Sequence, residues 1–109
     1  MTLLTLLFVA QTAQAEGDVT KGREVYMANC LTCHGEKFNG KGPAGIYLRP
    51  APRSLATDSF KNGDKPEQIQ ASVSNGLPGT AMSGFAKILS AEQIRNVTAF
   101  IGSLRKNRS

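Results

Sequence analysis

Cys30-Leu31-Thr32-Cys33-His34 is the stretch that decides how this chain folds. Two thiols three positions apart, followed at once by an imidazole, form the attachment signature for haem of the c type. The chemistry explains the spacing. One turn of chain lets Cys30 and Cys33 each add to a vinyl group on the same porphyrin edge, making two thioethers. His34 then lies under the iron as its proximal ligand. Both cysteines and the only histidine of the chain fall within these five residues.

Other chemistries fit the stretch less well. Redox Cys-x-x-Cys pairs sit near a βαβ pattern, and none is visible in this sequence. A structural zinc site takes four Cys or His ligands, and here a fourth is missing. A disulfide across two residues leaves His34 without a role.

Upstream of the motif, Asp18 to Asn29 reads as a helix that delivers Cys30. Val19, Gly22, Tyr26 and Cys30 recur at helical spacing and Asp18 is a suitable N-cap. Gly22 costs such a helix about 1 kcal/mol against Ala, which asks for a close crossing by another helix. Downstream, residues 35–59 hold four glycines and three prolines with no sustained period, the pattern of a loop. A loop this long in a small domain is usually functional, here a wrapping loop anchored by Ile46, Leu48 and Leu55.

Lys65 to Asn75 reads as a short helix. Asp64 is its expected cap, Pro66 suits its first turn, Gly76 its C-terminal end, and Ile69 and Val73 its apolar face. Residues 76–87 form a second glycine-rich loop carrying Met82. Ser90 to Arg105 is the clearest helix: Ser90-Ala91-Glu92-Gln93 is a capping box, and Ile94, Val97, Ile101 and Leu104 form one stripe with Phe100 beside it. The fold class is therefore all-α, a small domain wrapped round a cofactor.

The 109 residues allow one domain. Residues 1–15 read as a cleaved signal peptide. Leu3 to Ala10 is apolar apart from Thr5, and Ala13-Gln14-Ala15 has the small-x-small pattern that places cleavage before Glu16. No basic residue precedes the apolar run, so the true start is expected upstream of Met1. The run is too short for a permanent membrane span, which needs roughly 20 apolar residues. Export suits thioether attachment, which takes place outside the cytoplasm in bacteria, and the localisation read from it is periplasmic. The mature piece, residues 16–109, has no tryptophan, and the chain has only 6% aromatic residues. A core this small is marginal, so haem is expected to serve as core as well as cofactor.

Net charge is +5. A basic surface favours steered encounter with acidic patches on a partner. Scattered basic residues on an exported chain argue against nucleic acid. The Arg105-Lys106-Asn107-Arg108 tail reads as a solvated helix end complementing the dipole.

The iron's sixth position needs a donor, and no second histidine exists. Of three methionines, Met1 leaves with the signal. Met27 lies one turn before Cys30 on the attachment helix, badly placed to reach the opposite haem face. Met82 sits in a glycine-rich loop whose backbone can approach the ring. Lys87, Tyr47 or an open five-coordinate iron are the alternatives, and a core-filling role is the alternative for Met82 itself.

Taken together, the chain resembles the class I c-type cytochromes. The resemblance spans the mature sequence and includes the loop motifs Gly40-Lys41-Gly42-Pro43, Leu48-Arg49-Pro50-Ala51-Pro52-Arg53 and Gly79-Thr80-Ala81-Met82. It implies a small cytochrome c fold, with N- and C-terminal helices crossing through Gly22 and Tyr26 against Val97 and Phe100, and loops round one covalent haem c. It implies iron ligation by His34 and Met82, and a proline carbonyl, from Pro52, Pro50 or Pro43, accepting from the proximal ring. Leu48, Tyr47, Pro52 and Phe85 are the remaining candidate cofactor contacts. Ser83 stands where this family often has proline, implying a less stiff ligand loop. Without an indole to bond a propionate, Arg49, Arg53 or Lys61 are the candidates for that contact.

The function expected from these residues is electron transfer by a monomeric periplasmic carrier between a donor and an acceptor redox protein, with no catalytic residues of its own. The alternatives are a tightly bound haem subunit of a larger oxidase or dehydrogenase, and a gas-binding or peroxidatic open-site haem protein.

Overall fold

The computed structural model describes residues 17–105. The expected signal peptide and Lys106, Asn107 and Arg108 lie outside the described residues. The element order is α1 (Val19–Asn29), α2 (Leu31–His34), a 3-10 turn (Gly45–Tyr47), α3 (Pro66–Asn75) and α4 (Ala91–Leu104). The only β pairing among the described residues is a single antiparallel bridge between Gly76 and Ser83. No helix among them is long and apolar enough to cross a membrane.

α1 begins where the Asp18 carboxylate accepts from the Lys21 N–H at 2.9 Å, satisfying a donor the first turn leaves open. Gly22, Val25 and Tyr26 form its buried face, while Val19, at the start of the expected stripe, is 44% exposed. The Cys30 N–H closes the helix on the Tyr26 carbonyl at 2.8 Å. α2 restarts at once and carries the attachment stretch until Gly35, whose φ of 95° breaks the turn.

α1 and α4 make the most extensive helix pair. At their crossing the Gly22 backbone lies directly against the Asn96 carbonyl and the Phe100 Cβ, leaving no room for a side chain. The Asn96 side chain accepts from the Asp18 N–H at 2.8 Å, locking the start of α1 to α4. Tyr26 and Val97 are fully enclosed. The Tyr26, Phe38 and Phe100 rings pack mutually, with centroids 5.2 to 5.7 Å apart. Tilted and edge contacts of this kind add to plain burial. Phe38 holds φ 62°, a left-handed conformation costing a non-glycine residue about 1–2 kcal/mol. Its ring contacts and its carbonyl, which accepts from the Leu55 N–H at 2.8 Å, offset that cost.

α3 packs on α4 through Ile69 and Val73. Its N-cap is Lys65 and not Asp64, with Gln68 Oε1 accepting from the Lys65 N–H at 3.0 Å. Asp64 is drawn elsewhere: it accepts from the Phe60 N–H at 2.8 Å and pairs with Arg105 at 3.0 Å. α4 has the capping box in full, with Ser90 Oγ accepting from the Gln93 N–H at 3.0 Å and Gln93 Oε1 from the Ser90 N–H at 2.8 Å.

Arg105 overturns the reading of the tail as solvated from its first residue. It is 9% exposed, its guanidinium lies 4.0 Å from the Phe60 ring centroid, and it donates to the Leu55 and Asp58 carbonyls at 2.6 Å each. Of the three loop anchors expected, Leu55 is in the core, Leu48 is half-buried and Ile46 is 50% exposed.

Candidate haem-attachment site

The backbone of the Cys30–His34 stretch is wrapped from outside by residues 40–45. The Gly40 N–H donates to the His34 carbonyl at 2.7 Å, Gly42 to Cys33 at 3.1 Å and Ala44 to Thr32 at 2.9 Å. These bonds satisfy carbonyls that a four-residue helix leaves open and hold the motif's side chains at fixed angles. The glycines allow the approach: at Gly42 a side chain would strike the Leu31 and Thr32 carbonyls.

Cys30 and Cys33 are free thiols, both half-buried, and Cys30 and Leu31 pack against the core. Burial pushes the Cys30 thiol up to about 11, with the Cys33 charge adding to the effect. It therefore stays protonated at neutral pH. His34 Nδ1 lies 3.2 Å from the Arg53 carbonyl. Burial lowers the pKa of the ring from its ordinary value, and the bond to Arg53 acts against that lowering. With Nδ1–H donating to the carbonyl, Nε2 is the nitrogen left with a lone pair.

That carbonyl corrects the expectation of a proline. Neither Pro43, Pro50 nor Pro52 supplies it; the residue after Pro52 does. Pro52 directs its own carbonyl onto Gly40, where a side chain would collide with it. Proline still sets the local path, because it fixes φ and keeps its neighbours extended.

Met82 is held from another quarter. Its N–H donates to Thr80 Oγ1 at 3.0 Å, its carbonyl accepts from the Leu77 N–H at 3.0 Å, and the Gly76–Ser83 bridge closes the loop. The Phe85 N–H then bonds the Val73 carbonyl at 2.9 Å, strapping the loop to the end of α3. These bonds tie down the loop in which Ser83 stands where the family often has proline. The Met82 side chain is half-buried.

Of the other candidate contacts, Leu48 and Pro52 are half-buried and Phe85 packs against the core, whereas Tyr47 is 80% exposed. Ile46 and Ile88, 50% and 68% exposed, join it as large apolar side chains facing outward. Two cysteine thiols one turn apart, with an imidazole directly after the second, are the residues that haem c attachment uses. Among the described residues no group of three or more His, Cys, Asp or Glu side chains converges as a metal-ion cage would. Two functional groups escaped sequence reading: the Arg53 carbonyl, because any residue has one, and the Tyr26 hydroxyl, which donates to the Gly35 carbonyl at 2.6 Å directly behind the motif.

Comparison with known proteins agrees with this geometry. The family described as cytochrome C oxidase, cbb3-type, subunit III matches residues 17–101. A cbb3-type cytochrome c oxidase subunit CcoP of an Azospirillum species is 32% identical over 88 residues, covering 81% of this chain and 29% of that protein. Cytochrome c6 of Rippkaea orientalis is 35% identical over 86 residues, covering 78% of this chain and 69% of the relative. The chain thus spans less than a third of the oxidase subunit and about two thirds of the small cytochrome. Among solved structures, cytochrome c6 of the diatom Phaeodactylum tricornutum superposes with a TM-score of 0.64 at 26% identity, covering 83% of this chain and 97% of that one. The chain belongs to the c-type cytochrome family, as a class I domain of the cbb3 subunit III type with the small helical fold of cytochrome c6.

Proposed function

We propose that this chain carries one haem c on Cys30 and Cys33, ligated by His34 and Met82, and that it works as a periplasmic one-electron carrier between redox proteins. The observation that carries the reading is the His34–Arg53 contact at 3.2 Å. It fixes Nδ1 as the protonated nitrogen and turns Nε2 away from the carbonyl, while burial favours the neutral ring, beside two thiols one turn apart. When bound, the haem supplies an iron that alternates between ferrous and ferric states.

The chain's own residues do the rest. Cys30, as a protonated thiol, retains the hydrogen that addition across a vinyl double bond consumes. His34 is aimed by Arg53, and the donated hydrogen bond raises the basicity of the ring. The Met82 thioether, a neutral soft donor, raises the reduction potential relative to a second imidazole. Were His34 and Met82 both to hold the iron, no position would be left for a substrate, and the protein would transfer electrons without making bonds. Exposed apolar side chains such as Ile46, Tyr47 and Ile88 offer a partner contact area, and the net charge of +5 favours an acidic partner.

A second reading has its own support. The match to an oxidase subunit III family, and relatives of which this chain spans under a third, favour a haem domain held permanently in a larger redox enzyme. Gel filtration of native extract, followed at the haem absorption, tests the choice. Elution at the mass of the small chain supports the free carrier; elution only in a large assembly overturns it.

A further inference from the structure

The Arg53 peptide unit is fixed from behind. Its carbonyl meets His34 Nδ1 at 3.2 Å, and the N–H of the same unit, that of Ser54, donates to Asp58 Oδ2 at 2.8 Å. In a planar trans peptide the N–H and C=O point in opposite directions, so aiming one aims the other. Asp58 is in turn held in place: its N–H donates to the Ser54 carbonyl at 3.1 Å and its own carbonyl accepts from Arg105 at 2.6 Å. The other arm of the guanidinium takes the Leu55 carbonyl at 2.6 Å, while Asp64 and the Phe60 ring fix the guanidinium itself. Ser59 accepts from the Arg53 side chain at 3.0 Å, closing the turn.

We propose that Arg105, acting through Asp58, is a positioning residue for the proximal imidazole: the C-cap residue of α4 sets the direction of the carbonyl that His34 donates to. This rests on His34 being the haem ligand. The arrangement joins the end of the chain's most regular helix to the axial ligand, across 52 residues from Arg53 to Arg105. A planar, always-charged fork that holds two carbonyls at once is the side chain suited to this task. Its burial is compensated by three acceptors and an aromatic face, as an enclosed guanidinium requires.

A relay of this kind differs from a plain brace in what it controls. A brace affects stability alone. A relay also affects the strength of the Nδ1–H bond, and through it the basicity of the ring and the balance between ferric and ferrous iron. A weaker bond makes the imidazole less basic, so the ferric state loses support and the potential rises.

The test uses the haem-bearing protein in wild-type, Arg105→Met, Asp58→Ala and Asp58→Asn forms. Proton NMR of the ferrous state reads solvent exchange of the His34 Nδ1–H, and redox titration reads the midpoint potential. We expect exchange to accelerate by about tenfold or more in Arg105→Met and Asp58→Ala, with a raised potential and the methionine-to-iron band intact. Asp58→Asn, which keeps an acceptor for the Ser54 N–H, should restore both readouts to near wild type. Lower stability with unmoved exchange and potential overturns the proposal. Should Arg105→Met fail to mature, Asp58→Ala decides by the same readouts. A wild-type protein whose His34 ring protons lack the ring-current shift of an axial ligand overturns the ligand assignment itself, a result distinct from unmoved variants of a ligated wild type.

Discussion

The backbone of Gly22 lies against the carbonyl of Asn96 with no space between them for a methyl group. Helix axes usually stand 8–10 Å apart, with the distance set by the side chains at the contact, and a glycine here admits the closest approach. Gly22→Ala should improve α1 as an isolated helix by about 1 kcal/mol and yet destabilise the protein, because the new Cβ meets rigid backbone. The expected net loss is about 1–3 kcal/mol. Denaturant unfolding of the haem-bearing variant checks it, through a lower midpoint at unchanged slope.

Tyr26 couples stability to alkaline pH. Burial holds its hydroxyl well above the ordinary tyrosine range, and the neighbouring Cys30 adds to that. Once Cys30 is a thioether the second cause disappears and burial persists. The folded-state pKa exceeds the unfolded value of about 10, so the unfolded chain loses its proton first. The contribution is intact below about pH 10 and declines as pH rises beyond it. Tyr26→Phe should cost about 1 kcal/mol at pH 7, the worth of its hydrogen bond to Gly35, and should flatten the loss of stability above pH 10. Unfolding curves at pH 7 and pH 11 measure both effects.

Ser90 gives a cleaner local case. Its side chain accepts from the Gln93 N–H, a contact local to the first turn of α4. Ser90→Ala should lower stability by about 1 kcal/mol and leave the visible spectrum unchanged, as thermal unfolding followed at two wavelengths will show.

The three long helices are legible in the chain because local rules decide them. Asp18, Ser90 and Gly76 cap as their chemistry dictates, and α4 shows its apolar stripe at a 3.6-residue period. Gly22 announces the helix crossing because a glycine mid-helix needs a packing reason. What the chain does not reveal is set by distant neighbours. Asp64 is as good a cap as any aspartate, but Arg105, 41 positions later, recruits it and leaves the cap to Lys65. Arg105 itself reads as a solvated end until the 55–64 loop is seen closing over it. The carbonyl at His34 belongs to Arg53 instead of a proline because backbone acceptors carry no residue signature.

The small core sets an expectation for the chain without haem. The ten apolar side chains buried among the described residues include no tryptophan, and a domain of this length is marginal when its interior is incomplete. The Cys30→Ala, Cys33→Ala double variant, which cannot form thioethers, should show little helical signal in far-UV circular dichroism at 25 °C and no cooperative melting. Native-like helix content with a sharp transition would show that the polypeptide suffices by itself.

The measurement that bears most directly on the whole account is the optical spectrum of the mature ferric protein beside that of Met82→Ala. Covalent haem held by His34 and Met82 should give wild type the far-red methionine-to-iron band. In the variant that band should vanish while haem stays attached, and the ferrous form should then bind carbon monoxide readily. A correctly matured wild-type protein that lacks the band, or a variant that keeps it, contradicts the account.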